Sequence, residues 1–214
     1  MKPYLIGIAG PSGAGKSIFS RLIQSSFANV SRLKLDDFFK DIEDVQEHNG
    51  IIHWDEPSSI KWGELIKATR DLKSGKYAIV PNYSRKDDRQ IGEKCVFPAD
   101  IMIIDGFMTL VNPELRGLLD LKLFFSLSED SQLKRRKIRQ PWVEEAYLYE
   151  MMLPSSRKYI MPSRQYADHV INAELPSQSV ADLGIAIVRF ELKNRLKKLD
   201  KRSVFKTVPV EARV

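Results

Sequence analysis

Eight consecutive residues, Gly10-Pro11-Ser12-Gly13-Ala14-Gly15-Lys16-Ser17, constrain this chain more than any others. They match GxxxxGK[ST]. In that pattern glycines let successive backbone N–H groups turn inward around a phosphate, and the helix that follows points its positive end at the same anion. The pattern carries weight only between a strand and a helix, and both are legible. Tyr4–Ala9 is a short, continuous apolar run, and Lys16–Ala28 sets Ile18, Leu22 and Ile23 on one side. Gly10, Ser12, Gly13, Ala14 and Gly15 are therefore expected to cradle a nucleoside triphosphate. Lys16 is expected to reach its β- and γ-phosphates, and Ser17 to ligate Mg²⁺.

The rest of the chain repeats that alternation. Further apolar runs at Arg32–Asp36, Ile101–Asp105, Leu121–Leu127 and His169–Ala173 read as buried parallel strands. Helical spacing covers Ser58–Ser74, with Gly75 just past its end, and Ser179–Leu199, with Ile185, Val188, Leu192, Leu196 and Leu199 on one stripe. Ser128 can cap a helix to about Gln140, with Glu129 and Asp130 in its first turn. Pro141 is placed to begin another helix, which Pro154 should end or kink. Strands alternating with helices predict an α/β fold: a five-stranded, mostly parallel sheet with helices on both faces, three layers in all. Two stretches break the rhythm. Lys40–Asp55 is polar and loop-like, and Tyr77–Phe97 reads as a strand or hairpin, so both are candidate substrate-facing excursions. The four apolar residues of Ile101-Met102-Ile103-Ile104-Asp105 end in an acid. In open α/β sheets ligands gather at that strand edge, so Asp105 is a candidate Mg²⁺ ligand.

Composition narrows the class. The 214 residues suffice for one packed domain, expected over residues 1–202, with 203–214 as a tail lacking any periodic pattern. No apolar run approaches the roughly 20 residues of a membrane span, and the apolar start runs straight into the glycine loop, as a first strand would and a leader peptide would not. Cys95 is the single cysteine, so no internal disulfide can form and the cytoplasm is the expected compartment. The net charge of +6 concentrates in Lys134–Arg139 and Lys193–Arg202, the latter read as a solvated helix face. A basic balance also suits a non-catalytic nucleotide switch or a nucleic-acid binder. Acids at the mouth of a phosphate site oppose a polyanion, so neither nucleic acid nor membrane is expected as a partner. Self-association of the chain is left open.

In order along the chain, Leu35-Asp36-Asp37-Phe38-Phe39-Lys40, His53-Trp54-Asp55-Glu56-Pro57, Val80-Pro81-Asn82-Tyr83, Ile104-Asp105-Gly106-Phe107, the run Lys134–Arg139 and Gln165-Tyr166-Ala167-Asp168-His169-Val170-Ile171 follow the glycine loop. With it they resemble the phosphoribulokinase/uridine kinase superfamily of P-loop kinases, uridine and nicotinamide riboside kinases in particular, over about residues 4–175. The resemblance implies ATP with Mg²⁺ as cofactors and a small-molecule nucleoside, phosphorylated on its 5′-hydroxyl, as substrate. It implies Asp36 as catalytic base, Asp55 on the ribose, and Phe39, Trp54 and Tyr83 against the base. It makes residues 134–160 a LID, in which Arg135 and Arg139, at i and i+4, close over the transferring phosphate. Arg157 and Lys158 are secondary candidates. The chain departs from the family in three places. Asp105 stands where these kinases carry glutamate. A second arginine cluster gives way to Pro141-Trp142-Val143-Glu144-Glu145. The histidine expected after Tyr83 is missing, with Asp88 near its place.

Overall fold

A computed structural model describes residues 2–48 and 50–204. Its centre is a parallel sheet of β1 (Tyr4–Ala9), β2 (Val30–Lys34), β7 (Ile101–Asp105), β8 (Leu121–Ser126) and β9 (His169–Asn172), ordered β2-β7-β1-β8-β9. Every neighbouring pair in it is parallel, with Ile8 beside Asp105 and Lys34 beside Asp105 in register. β1 and β7 are buried along their whole length, which is why they read as unbroken apolar runs.

Two cores flank the sheet. On one face Phe19 and Ile23 of α1 (Lys16–Ser26) and Val188 of α6 (Ser177–Val204) pack on Ile6, Ile8, Leu123 and Phe125. Gly184 is what lets α6 sit so close, since a Cβ there would stand 2.3 Å from the Phe19 ring. On the other face Leu65, Ile66, Ala68 and Leu72 of α2 (Trp62–Lys73) pack with Leu5, Met102, Ile104 and Phe124. The excursion expected at Tyr77–Phe97 is an antiparallel hairpin of β5 (Ala78–Ser84) and β6 (Arg89–Val96). Lys40–Asp55 holds one 3-10 turn, Ile42–Asp44, and the short ribbon of β3 (Glu47–His48) and β4 (Ile51–Ile52). Short α3 (Pro113–Leu118) is capped by Asn112.

Several boundaries differ from expectation, each for a physical reason. β2 ends at Lys34, and Leu35–Phe38 wind into a 3-10 turn. Leu35 and Phe38 are both fully buried, and a three-residue period stacks them on one face, so burial wins over strand continuation. α2 begins at Trp62 because Pro57–Ser59 form a separate 3-10 turn. α4 (Glu129–Arg139) starts where expected, its Ser128 hydroxyl accepting from Ser131 N. The next helix does not start at Pro141; residues 141–144 are turn and coil, and helical geometry resumes at Glu145. Nor does Pro154 stop it. Wide π-type segments, Tyr147–Met152 and Ser156–Ile160, bracket a single α-turn, α5 (Leu153–Ser155). Such widening accommodates the missing N–H and the ring clash of a mid-helix proline. Along α6 Val188 is buried but Leu196 is 52% exposed, so the expected stripe fades towards the C-terminus. The side chain of Leu199 lies outside the described residues, as do residues 205–214 of the tail. Among the described residues no helix is long and apolar enough to cross a membrane.

Candidate active site

The C-terminal edge of the sheet opens into a cleft of about 420 Å³, lined at one end by Ser12, Gly13, Lys16 and Ser17 and at the other by Asp36, Phe39, Trp54 and Asp55. The glycine loop leaves β1 with Gly10 at φ 137°, where a Cβ would meet the Phe125 carbonyl oxygen at 2.3 Å. Gly15, in the left-handed region at φ 84°, is the N-cap of α1. Lys16 Nζ reaches back over the loop and donates to the Pro11 carbonyl at 2.8 Å. Burial lowers its ammonium to about pKa 8, against the opposing pull of Asp36 and Asp105.

Asp105 is buried and fully engaged. It accepts from Arg32 Nε at 2.7 Å and Nη2 at 2.5 Å, and from the Ser20 hydroxyl at 3.0 Å. Among the described residues no cluster of three or more His, Cys, Asp or Glu side chains could hold a metal ion alone. Asp36 and Asp37 part company in the 3-10 turn. Asp36 lines the cleft and pairs with Arg85 at 2.8 Å, an exposed pair of little energetic weight. Asp37 is buried the other way, in an ion pair with Lys94 at 2.7 Å.

At the far end, Phe39 is wrapped by Trp54, Tyr83 and Phe107 at ring separations of 5.5, 5.7 and 6.1 Å. Phe39, Trp54 and Phe107 line the cleft; Tyr83 packs behind them and does not. The sequence reading assigns Phe107 no role; its place directly after Asp105-Gly106 at the strand edge is the signal for it. After Tyr83 it is Arg85, not Asp88, that lines the cleft, its guanidinium 5.0 Å from the Phe39 ring centroid.

The basic run is rotated by one residue from expectation. Arg135 turns away from the cleft and donates to the carbonyls of Gly13 at 3.1 Å and Ala173 at 2.9 Å, bracing the glycine loop from behind. Arg136 takes its place beside Arg139, and both reach the Ser12 hydroxyl, at 3.4 and 3.1 Å. Arg136, Arg139 and Gln140 share one helix face at i, i+3 and i+4, and all three line the cleft. Arg157 pairs with Glu129 at the surface. The sequence reading also missed Tyr147, whose hydroxyl donates to Asp55 Oδ2. Burial pushes the Asp55 carboxyl up, opposed by that hydrogen bond and by Arg136 and Arg85; burial and the Asp55 charge push the Tyr147 phenol well up. Three buried side-chain polar atoms among the described residues lack a hydrogen-bond partner: Tyr83 Oη, Arg136 Nε and Gln140 Oε1. Two of the three belong to this cleft.

A phosphate loop thus faces two carboxylates, Asp36 and Asp55, across one cleft. Residues 5–181 match the family described as Phosphoribulokinase / Uridine kinase family. The chain belongs to that family. It is 30% identical over 182 residues to a uridine kinase of Streptococcus pyogenes, covering 79% of this chain and 87% of that one. To a uridine kinase of Streptococcus equi it is 29% identical over 197 residues, covering 85% and 93%. To uridine-cytidine kinase A of Dictyostelium discoideum it is 28% identical over 207 residues, covering 90% of this chain but only 40% of that longer one. Among solved structures, phosphoribulokinase from Rhodobacter spheroides superposes with a TM-score of 0.60 at 14% identity, covering 80% of this chain and 70% of that one. A possible uridine kinase from Bacillus stearothermophilus gives 0.54 at 20%, covering 79% and 89%. These structural likenesses concern the fold. The chain is thus an α/β P-loop kinase of this family, and the family implies ATP as phosphoryl donor.

Proposed function

We propose that this kinase transfers the γ-phosphate of ATP to the 5′-hydroxyl of a ribonucleoside. The supporting observation is the polarity of the cleft. Main-chain donors and Lys16 hold one end, while two carboxylates beside an aromatic floor hold the other. In this reading Asp36 accepts the acceptor hydroxyl's hydrogen bond and takes its proton, and its loose pairing with Arg85 lets it do so. Asp55 holds the sugar. Trp54, Phe39 and Phe107 face the base, with Tyr83 supporting them. Lys16, Arg136 and Arg139 would neutralise charge on the transferring phosphate, with Arg135 fixing the loop behind it.

Magnesium fits the donor set. The Ser17 hydroxyl and the Asp105 carboxylate are hard oxygen ligands lining the phosphate end, and Mg²⁺ characteristically takes one or two such groups plus phosphate oxygens. Ser17 would hold the ion directly and Asp105 as an outer ligand, since both Asp105 oxygens already accept from the protein. When bound, it would offset the negative charge of the phosphates. Residues 134–160 act as the LID in this proposal.

The test is ADP release from Mg–ATP with uridine, cytidine, nicotinamide riboside and pantothenate as acceptors. A ribonucleoside is expected to be turned over best. Asp36→Asn should lower kcat by about 10³-fold and leave the ATP dissociation constant within about twofold. Unchanged turnover in Asp36→Asn would remove the assigned base.

A further inference from the structure

We propose that Arg32 keeps divalent metal out of the phosphate end until a nucleotide brings it, by neutralising Asp105; this rests on the Mg–ATP kinase reading above. β2 runs parallel to β7 with Lys34 beside Asp105, and Arg32, two residues earlier, shares the face of Lys34. From there its side chain forks onto both carboxylate oxygens, Nε at 2.7 Å and Nη2 at 2.5 Å. The two side chains are only 11% and 3% exposed, so water screens the pair little. Arginine does not give up its proton in a protein, so the neutralisation is permanent.

A bare Mg²⁺ approaching Ser17 therefore meets little negative charge at Asp105. The other charges around it have the wrong sign. Lys16, Arg21, Arg32 and Lys34 line this end of the cleft against the single carboxylate of Asp105, and the Ser17 hydroxyl is neutral. Among the described residues no cluster of three or more His, Cys, Asp or Glu could hold a metal ion. The same excess of cations attracts a triphosphate, whose oxygens supply the anionic ligands that the protein withholds. The nucleotide thus carries the metal in, and Ser17 receives it. An ordinary ion pair would only fasten β2 to β7; this one also decides the order of binding.

The test measures Mn²⁺ binding to the full chain by electron paramagnetic resonance, without nucleotide, in the wild type, Arg32→Gln and Arg32→Lys. The wild type should bind Mn²⁺ at Asp105 more weakly than about 1 mM. Arg32→Gln removes the positive charge but keeps a hydrogen-bond donor, and should tighten binding about tenfold or more. Adding Asp105→Asn to Arg32→Gln should abolish that gain, which places the new site at this carboxylate. Arg32→Lys keeps the charge and loses the fork, so it should bind as weakly as the wild type. A purely structural role predicts that both variants lose stability and leave Mn²⁺ affinity unchanged, and that result overturns the proposal. So does wild-type binding tighter than about 1 mM that Asp105→Asn removes; this arm decides if Arg32→Gln does not fold. With ATP added, the wild type should take up Mn²⁺ as the nucleotide complex, seen as enhanced water-proton relaxation. Failure of that uptake defeats the kinase reading and this proposal with it. Uptake together with tight nucleotide-free binding at Asp105 defeats only the role of Arg32.

Discussion

The two ends of the cleft are built on different principles. The phosphate end is main chain: the loop Gly10–Gly15 between β1 and α1, held in register by the sheet behind it. The acceptor end is side chain. Asp36 comes from a 3-10 turn, Trp54 and Asp55 from a loop, Arg85 from the hairpin, and Arg136 and Tyr147 from the 134–160 segment. A site made of backbone is tolerant of side-chain drift but intolerant of a single Cβ. A site assembled from remote side chains is the reverse, and can change its ligand by small rotations of the elements that carry it.

The sharpest way to break this contrast is to add one methyl group at two glycines of the same loop. At Gly10 a Cβ would press on the Phe125 carbonyl oxygen at 2.3 Å, on top of a backbone φ of 137° that side chains avoid. Gly10→Ala is expected to cost about 3–5 kcal/mol, in the range that leaves a domain marginally folded. At Gly15 nothing lies within 4 Å, so only the left-handed φ of 84° opposes a side chain. Gly15→Ala should cost about 1 kcal/mol. Urea unfolding of the two variants measures the gap; equal losses would mean the loop is not pinned by β8.

Next in size is the division of labour between adjacent arginines. Arg136→Ala is expected to lower kcat about 100-fold with little change in stability, the usual loss when one transition-state donor is removed. Arg135→Ala should do the converse. It removes two hydrogen bonds to backbone carbonyls, costing about 2 kcal/mol of stability, with a smaller effect on kcat. Steady-state kinetics beside thermal unfolding separates them. If Arg135→Ala proves the more damaging to turnover at a temperature where it is folded, the rotation of the helix face described above is wrong.

The same contrast explains what could be read in advance. The glycine loop, β1, β7 and the Ser128 cap were legible because each is a local pattern whose partners lie within a few residues. The strand expected to run to Asp36 stops at Lys34, because burial of Leu35 and Phe38 is a tertiary fact. Arg135 was preferred over Arg136 because a run of Lys-Arg-Arg-Lys has no apolar mark to say which face is inward, and one residue is a 100° turn of the helix. Gln140, at i+4 from Arg136, was the polar clue. Tyr147 sits where the segment departs from the family pattern, beyond a turn and inside a π-type stretch that no simple period anticipates. Its contact with Asp55 spans 92 residues of sequence.

The smallest expected effect is also the most diagnostic, because its two readouts move in opposite directions. Lys16 is half-buried, and desolvation lowers its ammonium to about pKa 8 from an ordinary value of 10.5. Bound phosphate favours the charged form, so above pH 8 the nucleotide must bring a proton with it. ATP affinity should be flat below pH 8 and weaken by up to tenfold per unit above it. Stability has the other sign. Between pH 8 and 10.5 the unfolded chain holds the Lys16 proton more tightly than the folded one, so this group's contribution to stability rises with pH through that window. Removing the lysine isolates the effect. The stability advantage of Lys16→Met over the wild type, without nucleotide, should be largest below pH 8 and shrink towards pH 10.5, because only a charged lysine is penalised by burial. Calorimetric titration with ATP and unfolding curves across that range test both halves. Affinity and the stability gap that are both indifferent to pH would show that Lys16 meets solvent freely, and that the phosphate end of the cleft is less enclosed than its contact with Pro11 implies.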